Sequence, residues 1–130
     1  MNDPYLNDCT VVCRLYEEFK KHGKLIIGFD FDNTIYDYHK KGFTFHRITE
    51  LWRRCNKQGH IIVIVTGNND YDLIKEHLDR YDLHFDYINY SPVATGTKKV
   101  YTNILLDDRA GLLSATQILR TTLNIIDMEK

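Results

Sequence analysis

The sequence predicts a three-layer α/β domain with a mainly parallel, Rossmann-like central sheet. Two observations carry this prediction: four short, nearly continuous apolar runs, and segments of helical apolar spacing that alternate with them. Strands that are buried on both faces give such continuous runs, and successive parallel strands need crossover connections. Right-handed crossovers would place the helices on the faces of the sheet.

The first half of the chain predicts two helices and two strands. Helical spacing indicates a helix from Val11 to Lys21, which Gly23 ends. The apolar run Leu25 to Phe29 predicts the first strand. Ile35 to Phe43 is aromatic and polar and predicts a turn or small hairpin. A second helix, closed by Gly59, is indicated by the spacing of Phe45, Ile48, Leu51, Trp52 and Cys55.

The second half continues the alternation. Ile61 to Val65 is the clearest buried strand, and Asn68 or Asn69 can cap a helix over Asp70 to Asp79. Phe85 to Tyr90 alternates in polarity and predicts a third strand. A fourth strand is predicted over residues 104–106. The last helix is predicted over residues 110–123, with these side chains facing inward: Leu112, Leu113, Ala115, Ile118 and Leu119.

Length and composition predict one domain over residues 1–130. The chain has 43% hydrophobic residues, and 17 Lys and Arg against 18 Asp and Glu give a net charge of −1. This balance argues against a broadly basic nucleic-acid surface but is compatible with a local basic patch. No run approaches the roughly 20 apolar residues of a membrane span. Met1 to Pro4 lacks the features of a secretory signal.

The three cysteines, Cys9, Cys13 and Cys55, do not have the spacing of a zinc finger. We expect them to be small, buried, reduced side chains, which predicts a cytoplasmic location. A metal or redox pair of Cys9 and Cys13 is the alternative.

Reactive side chains follow three of the predicted strands. They are Asp30-Phe31-Asp32-Asn33-Thr34 after the first, Thr66-Gly67-Asn68 after the second, and Asp107-Asp108-Arg109 after the fourth. Ligands of open parallel sheets bind outside the carboxyl ends of the strands, so these groups should meet in one crevice. Four crowded carboxylates would not all stay ionised without a cation. All-oxygen ligands favour Mg²⁺, and a phosphate bridging metal and lysine becomes a plausible substrate group.

Each residue type has a chemical role in phosphoryl transfer. A carboxylate at a tight turn can attack phosphorus, and a second acid can protonate the leaving oxygen and later activate water. A hydroxyl with loop N–H groups can bind the phosphoryl oxygens, and a lysine can offset developing charge. Asp30, Asp32, Thr66 and Lys99 fit these roles in that order.

These motifs resemble those of the haloacid dehalogenase superfamily. A strand ending in D-x-D-x-T, a strand ending in Thr, an upstream lysine and a strand ending in an acidic pair occur in that order between residues 25 and 113. The resemblance implies that Asp30 is the nucleophile and Asp32 the general acid and base. It also implies a metal held by the Asp30 carboxylate, the Asp32 backbone carbonyl and Asp108, with Asp107 binding directly or through water. An acid at the second position of the first motif is similar to the phosphatase branch.

Two parts of the site stay open in the sequence. Lys98 and Lys99 are adjacent, and the register to the acidic pair favours Lys99. Thr66, Gly67, Asn68, Lys98 and Asn33 are the candidates for binding the phosphoryl group. His39, Lys40 and Lys41 could steer an anion, or they could form a solvated basic turn. Similar proteins place a small flap over the site just after the first motif, where this chain has Tyr36, Tyr38, His39 and Phe43. These side chains could stack on a base or sugar, or they could only pack within the flap.

The predicted function is a Mg²⁺-dependent phosphomonoester hydrolase with an aspartyl-phosphate intermediate. Its partner would be a phosphorylated substrate, with a nucleotide or a nucleic-acid terminal phosphate as the leading candidate, and no membrane or dedicated protein partner is inferred. A receiver-like signalling domain and a catalytically silent phosphate-binding module are the alternatives. The order of the motifs argues against the receiver, and the intact acids argue against the silent module. No P-loop or G-x-G-x-x-G motif is present.

The spacing of the motifs bears on the size of the substrate. Thr34 and Thr66 are separated by 31 residues, and Thr66 and Lys99 by 32. The predicted helices, strands and flap occupy both intervals. We therefore expect no cap domain and an open site, which in similar proteins often accepts large substrates. A small substrate held by the flap or by an oligomer partner is the alternative.

Overall fold

Four parallel strands form the central sheet of the computed structural model, which describes residues 3–130. They are β1 (Ile26–Phe29), β2 (Ile61–Ile64), β3 (Tyr87–Ile88) and β4 (Ile104–Leu106), in the spatial order β3-β2-β1-β4. Every neighbouring pair is parallel, so β1 lies between β2 and β4. The prediction that the chain lacks a secretory signal rests on Met1 to Pro4. Met1 and Asn2 lie outside the described residues.

Helices precede and alternate with these strands. A short 3-10 helix (Pro4–Leu6) leads into α1 (Asp8–His22), and α2 (His46–Gln58), α3 (Tyr71–Arg80) and α4 (Leu112–Met128) follow β1, β2 and β4. Gly23 and Gly59 end α1 and α2 at φ of 80° and 84°, a left-handed conformation that glycine adopts without a steric penalty. The prediction of an α/β domain with a parallel sheet is confirmed.

The helices pack on one face of the sheet. Along each strand the alternate residues Ile27, Phe29, Ile62, Ile64, Ile104 and Leu106 share one buried core with side chains from all four helices. Trp52 of α2 stacks on Phe29 with ring centroids 4.4 Å apart. The opposite face carries Gly28, Val63 and Leu105, and Thr102 of the β3–β4 connection lies over Gly28. The layer on that face is a connection that contains no helix among residues 91–103.

Three predicted details differ from the structure. The third strand, predicted over residues 85–90, is reduced to two residues because Asn89 turns the chain at φ 51°. Asp70 caps α3, accepting the Leu73 N–H at 3.2 Å, whereas Asn68 and Asn69 do not cap it. Leu113, predicted to face inward, is 64% exposed. The buried stripe of α4 instead includes Thr116 and Thr122, because this helix packs against α1 and α2 as well as β4.

The cysteines also differ from expectation. Cys55 is buried, but Cys9 and Cys13 are exposed on the first turns of α1, and all three are free thiols. The prediction that all three are buried is therefore wrong for two of them, since α1 directs only part of its surface towards the core. Within residues 3–130, no helix combines the length and apolar character needed to cross a bilayer.

The two intervals between the motifs contain no additional domain. Residues 35–45 form the flap, a series of turns with one isolated bridge between Asp32 and Tyr36. The flap, α2 and β2 fill the first interval, and α3, β3 and a loop fill the second. The prediction that the described chain carries no cap domain is confirmed.

Candidate active site

Asp30 and Asp32 lie in the turn that follows β1. The Asp30 N–H donates to the Leu106 carbonyl at 2.9 Å, which continues the pairing with β4. Phe31 is fully buried, and its carbonyl oxygen accepts N–H groups from Thr34, Ile35 and Tyr36. Because Phe31 anchors the turn in the core, the aspartates on its two sides are left to line the cleft at the carboxyl end of the sheet.

An acidic cluster forms where this turn meets the end of β4. Carboxylate oxygens of Asp30, Asp107 and Asp108 all lie within 4.8 Å of one another. The Arg109 N–H donates to Asp107 Oδ1 at 2.9 Å and fixes that carboxylate. Residues 77 positions apart along the chain are brought together because β1 and β4 are parallel neighbours.

Thr34 connects the two halves of the acidic cluster. Its side chain is fully buried, and its hydroxyl accepts the Asp108 N–H at 3.0 Å. The same hydroxyl lies 3.2 Å from Asp30 Oδ2 and 3.5 Å from Asp108 Oδ1, and its proton can be donated to one of them at a time. Thr34 therefore sets the separation of the two carboxylates.

Without a bound cation, the closely spaced carboxylates of the acidic cluster repel one another. Burial, the hydrogen bond with Asp108 and the charge of Asp107 together raise the pKa of Asp30 to about 7. Among the described residues, no lysine, arginine or histidine forms an ion pair with these three aspartates. A like-charge cluster of this kind favours protonation unless a positive ion binds.

The residues present fit a divalent metal. Three carboxylates offer hard oxygen ligands within one coordination sphere, and no thiol or imidazole belongs to the cluster. The Asp32 carboxylate is not part of the cluster. The resemblance implies that the backbone carbonyl of Asp32, rather than its carboxylate, binds the metal, and this stays a prediction.

The loop after β2 brings Thr66 and Asn68 to the same cleft. The Asn68 N–H donates to Thr66 Oγ1 at 3.0 Å, and the Asn68 side-chain amide donates to Asp32 Oδ1 at 3.2 Å. The Asn68 side-chain oxygen in turn accepts the Asp70 N–H at the start of α3. Asn68 thus holds the predicted acid and the predicted phosphate-binding hydroxyl in one network, with Gly67 between them on the cleft wall.

Asn89 holds this loop through hydrogen bonds to the Thr66 backbone, and it was not identified from the sequence. Its side-chain oxygen accepts the Thr66 N–H at 2.9 Å, and its amide donates to the Thr66 carbonyl at 2.8 Å. Asn89 also lies 3.1 Å from the Tyr71 hydroxyl. The distinguishing feature of Asn89 is a positive φ immediately after a short strand, and a backbone angle cannot be read from the sequence.

The structure does not bring Lys98 or Lys99 to the cleft. Both side chains are exposed on the β3–β4 connection, and neither lines the cleft. The Lys99 backbone is held by Thr95 and Thr97, whose hydroxyls bond its carbonyl and N–H at 3.2 Å. Arg109 is instead the one arginine or lysine that lines the cleft among the described residues.

The complete cleft has a volume of about 590 Å³. It contains every predicted site residue except the two lysines: Asp30, Asp32, Asn33, Thr66, Gly67, Asn68, Asp107 and Asp108. Tyr38 and His39 of the flap form one rim, and Arg109 forms another. Such an arrangement has room for a metal ion and a phosphoryl group close to the Asp30 carboxylate.

The comparisons with known proteins agree with this geometry. A family model described as haloacid dehalogenase-like hydrolase matches residues 27–102, more than half of the chain. The match includes the turn after β1, the loop after β2 and both lysines, and it ends before the acidic pair of Asp107 and Asp108. No curated protein and no solved structure matches the chain. Family match, sheet order and clustered aspartates agree, and the chain belongs to the haloacid dehalogenase-like hydrolases.

Proposed function

We propose that this protein is a Mg²⁺-dependent phosphomonoesterase that works through an aspartyl-phosphate on Asp30. The observation that carries the proposal is the convergence of Asp30, Asp32, Thr66 and the acidic pair in one cleft at the carboxyl end of the sheet. A bound Mg²⁺ would neutralise charge on the acidic cluster and on the phosphoryl oxygens. It would also favour the ionised form of Asp30, whose pKa is raised to about 7 in its absence.

The proposed chemistry uses the two aspartates in sequence. An Asp30 carboxylate oxygen attacks phosphorus, the ester P–O bond breaks, and Asp32 donates its proton to the leaving oxygen. Asp32 then accepts a proton from water, the water oxygen attacks phosphorus, and the bond to Asp30 breaks with release of phosphate. The Asn68 amide, 3.2 Å from Asp32 Oδ1, orients this carboxyl group for both proton transfers.

The phosphoryl oxygens need donors as well as a cation. The Thr66 hydroxyl and the N–H groups of the loop after β2 line the cleft and are our candidates for that role. Arg109 is available on the rim, and Lys99 stays a prediction. We propose a nucleotide or a nucleic-acid terminal phosphate as the substrate class, because Tyr38 lines the open cleft to which we assign the phosphoryl group. The free thiols of all three cysteines support a reducing, cytoplasmic location.

The test is hydrolysis of p-nitrophenyl phosphate with and without Mg²⁺. Asp30→Asn should abolish the Mg²⁺-dependent rate, and Asp32→Asn should reduce it by about 10²–10⁴-fold, the usual contribution of a general acid and base. Asp79→Asn, at an exposed aspartate on α3, is the matched control and should keep the wild-type rate.

Asp32→Asn also tests the intermediate. The p-nitrophenolate leaving group needs little protonation, so the first step should proceed while hydrolysis of the acyl phosphate slows. Acid-quenched Asp32→Asn protein should therefore carry one phosphoryl group on Asp30, found by peptide mass spectrometry. An unchanged rate in Asp30→Asn would refute the nucleophile. A wild-type phospho-form that lasts for minutes without phosphate release would favour the receiver-like alternative.

A further inference from the structure

Two further cavities continue from the active-site cleft along the flap. The smaller, about 280 Å³, shares Asn33, His39 and Asp108 with the cleft. The larger, about 520 Å³, shares Asp37, Phe43 and Phe45 with the smaller one. We call these two cavities together the flap groove. The shared lining residues mean that the groove starts at the acidic cluster and runs away from it beside the flap.

The flap groove is lined by aromatic and cationic side chains. Phe43 is 63% exposed, and Tyr38, which lines the cleft beside His39, is 55% exposed. Lys40 and Lys41 are exposed and form no ion pair within the described residues. Arg80, in the larger cavity, pairs with Glu76 at 2.9 Å. Unpaired positive charge therefore lies next to exposed aromatic rings.

The flap that presents these side chains is held in one conformation. The Asp37 carboxylate accepts the N–H groups of Lys41, Gly42 and Phe43 at 3.1, 2.7 and 3.2 Å. Tyr36, at the start of the flap, stacks on Phe31 with ring centroids 4.9 Å apart. The one carboxylate of the flap is thus directed into its own backbone. The groove presents Lys40, Lys41 and Phe43, and its other acidic residue, Asp108, lies at the end shared with the cleft.

We propose that the flap groove binds the nucleotides adjoining the terminal phosphate of a single-stranded nucleic acid. Stacking of unpaired bases on aromatic rings and cations along the backbone are how proteins hold single strands. The lysines lie beyond the cleft, so they would contact phosphates other than the one being cleaved. This inference rests on the proposed function, since it assigns the cleft to the terminal phosphate. It also accounts for a basic patch on a chain whose net charge is −1.

Binding can be tested without turnover in Asp30→Asn protein with Mg²⁺. The probe is a fluorescent single-stranded oligodeoxythymidylate of about eight nucleotides, within the usual site size, carrying a 3′- or 5′-phosphate and followed by anisotropy. Adding Lys40→Ala and Lys41→Ala should reduce the slope of log K against log salt by about 1.4, at about 0.7 per phosphate contact. The matched control, Lys20→Ala with Lys21→Ala on α1, should leave the slope unchanged.

The aromatic side chains have their own test. Adding Tyr38→Ala or Phe43→Ala should each weaken binding by about tenfold, the loss expected for one stacked base. Tyr5→Ala, at a tyrosine that is 81% exposed on the 3-10 helix, should have no effect. All of these side chains are exposed, and equal thermal unfolding midpoints would confirm intact folds. Lysine-pair variants that match their control, or a phosphopeptide that binds more tightly than the oligonucleotide, would overturn the proposal.

Kinetics separate this inference from the proposed function. In the wild type, kcat/KM should be about tenfold or more higher for a phosphorylated oligonucleotide than for the mononucleotide, given one stacked base. Hydrolysis of p-nitrophenyl phosphate with equal kcat/KM for oligonucleotide and mononucleotide would refute the groove but leave the phosphatase standing. Lysine-dependent oligonucleotide binding without hydrolysis of any phosphomonoester would refute the phosphatase but leave the groove standing.

Discussion

A buried histidine at the amino end of β2 should make the stability of this protein depend on pH. His60 follows the Gly59 cap of α2 and is only 4% exposed. Its Nδ1 accepts the Leu25 N–H at 3.0 Å, and its Nε2 donates to Gln58 Oε1 at 2.8 Å. A proton on Nδ1 would face another donor, so the folded protein holds this ring neutral.

The magnitude follows from the pKa. Burial, helped by the charge of Lys130, lowers the pKa of His60 from 6.5 to about 4. The unfolded chain therefore binds more protons between these two values, and the stability contributed by His60 falls as the pH falls through that window. A shift of about 2.5 pKa units corresponds to about 3 kcal/mol below pH 4, of which about 2 kcal/mol is lost by pH 5.

The perturbation is His60→Asn, which keeps an acceptor near Nδ1 and removes the titration. Urea unfolding at pH 7.5, 6 and 5 can be followed by the fluorescence of Trp52, the single tryptophan, which is fully buried against Phe29. The titration of Asp30 occurs in both proteins and cancels in the difference. The free energy of unfolding of the wild type, relative to the variant, should fall by about 2 kcal/mol between pH 7.5 and pH 5.

Two results would refute this reasoning. A difference between wild type and variant that does not change with pH would mean that His60 is not held neutral by burial. An equal pH-dependent difference in His22→Asn, at an exposed histidine at the end of α1, would assign the effect to the unfolded chain.

Two further predictions concern the acidic cluster and the sheet. Asp108→Asn removes one like charge, so it should raise the thermal midpoint of metal-free protein at pH 8 and abolish the increase that Mg²⁺ gives the wild type; a lower midpoint would contradict the charge argument. Gly28→Ala would place Cβ 2.8 Å from Thr102 Cγ2 and should cost about 1–3 kcal/mol of unfolding free energy. Thr102→Ser removes that methyl and should recover most of the loss, as measured by a double-mutant cycle; no recovery would assign the cost to Leu105, 3.0 Å away.

The positions of the strands along the chain were predictable because strands buried on both faces have continuous apolar sequences. Ile61 to Ile64 and Ile104 to Leu106 are continuous apolar runs, and parallel strands require them. The edge strand β3 was predicted too long because Phe85 to Tyr90 alternates, while its pairing ends where Asn89 turns. Helix α4 was assigned the wrong inner face at Leu113 because its position between two other helices is a tertiary property.

The candidate site divides in the same way. Residues at strand ends, such as Asp30, Thr66 and Asp108, were predictable because the carboxyl ends of parallel strands share one edge. The contacts between them were not predictable. Thr34 was seen only as part of a motif, although its hydroxyl lies between two carboxylates. Lys99 was placed by register, and register along the fifteen residues between β3 and β4 does not determine where a side chain points.

The position of Thr34 explains how one fold tolerates such concentrated negative charge. The Asp30 and Asp108 carboxylates repel each other in the metal-free protein, and a fully buried hydroxyl that donates to either one partly offsets the repulsion. This hydrogen bond is weaker than the interaction of both carboxylates with a divalent ion. Metal binding is therefore favoured by relief of the carboxylate repulsion that the hydrogen bond does not offset. Among the described residues no lysine, arginine or histidine forms an ion pair with these aspartates, so most of the charge of the cluster is left for a divalent ion to offset.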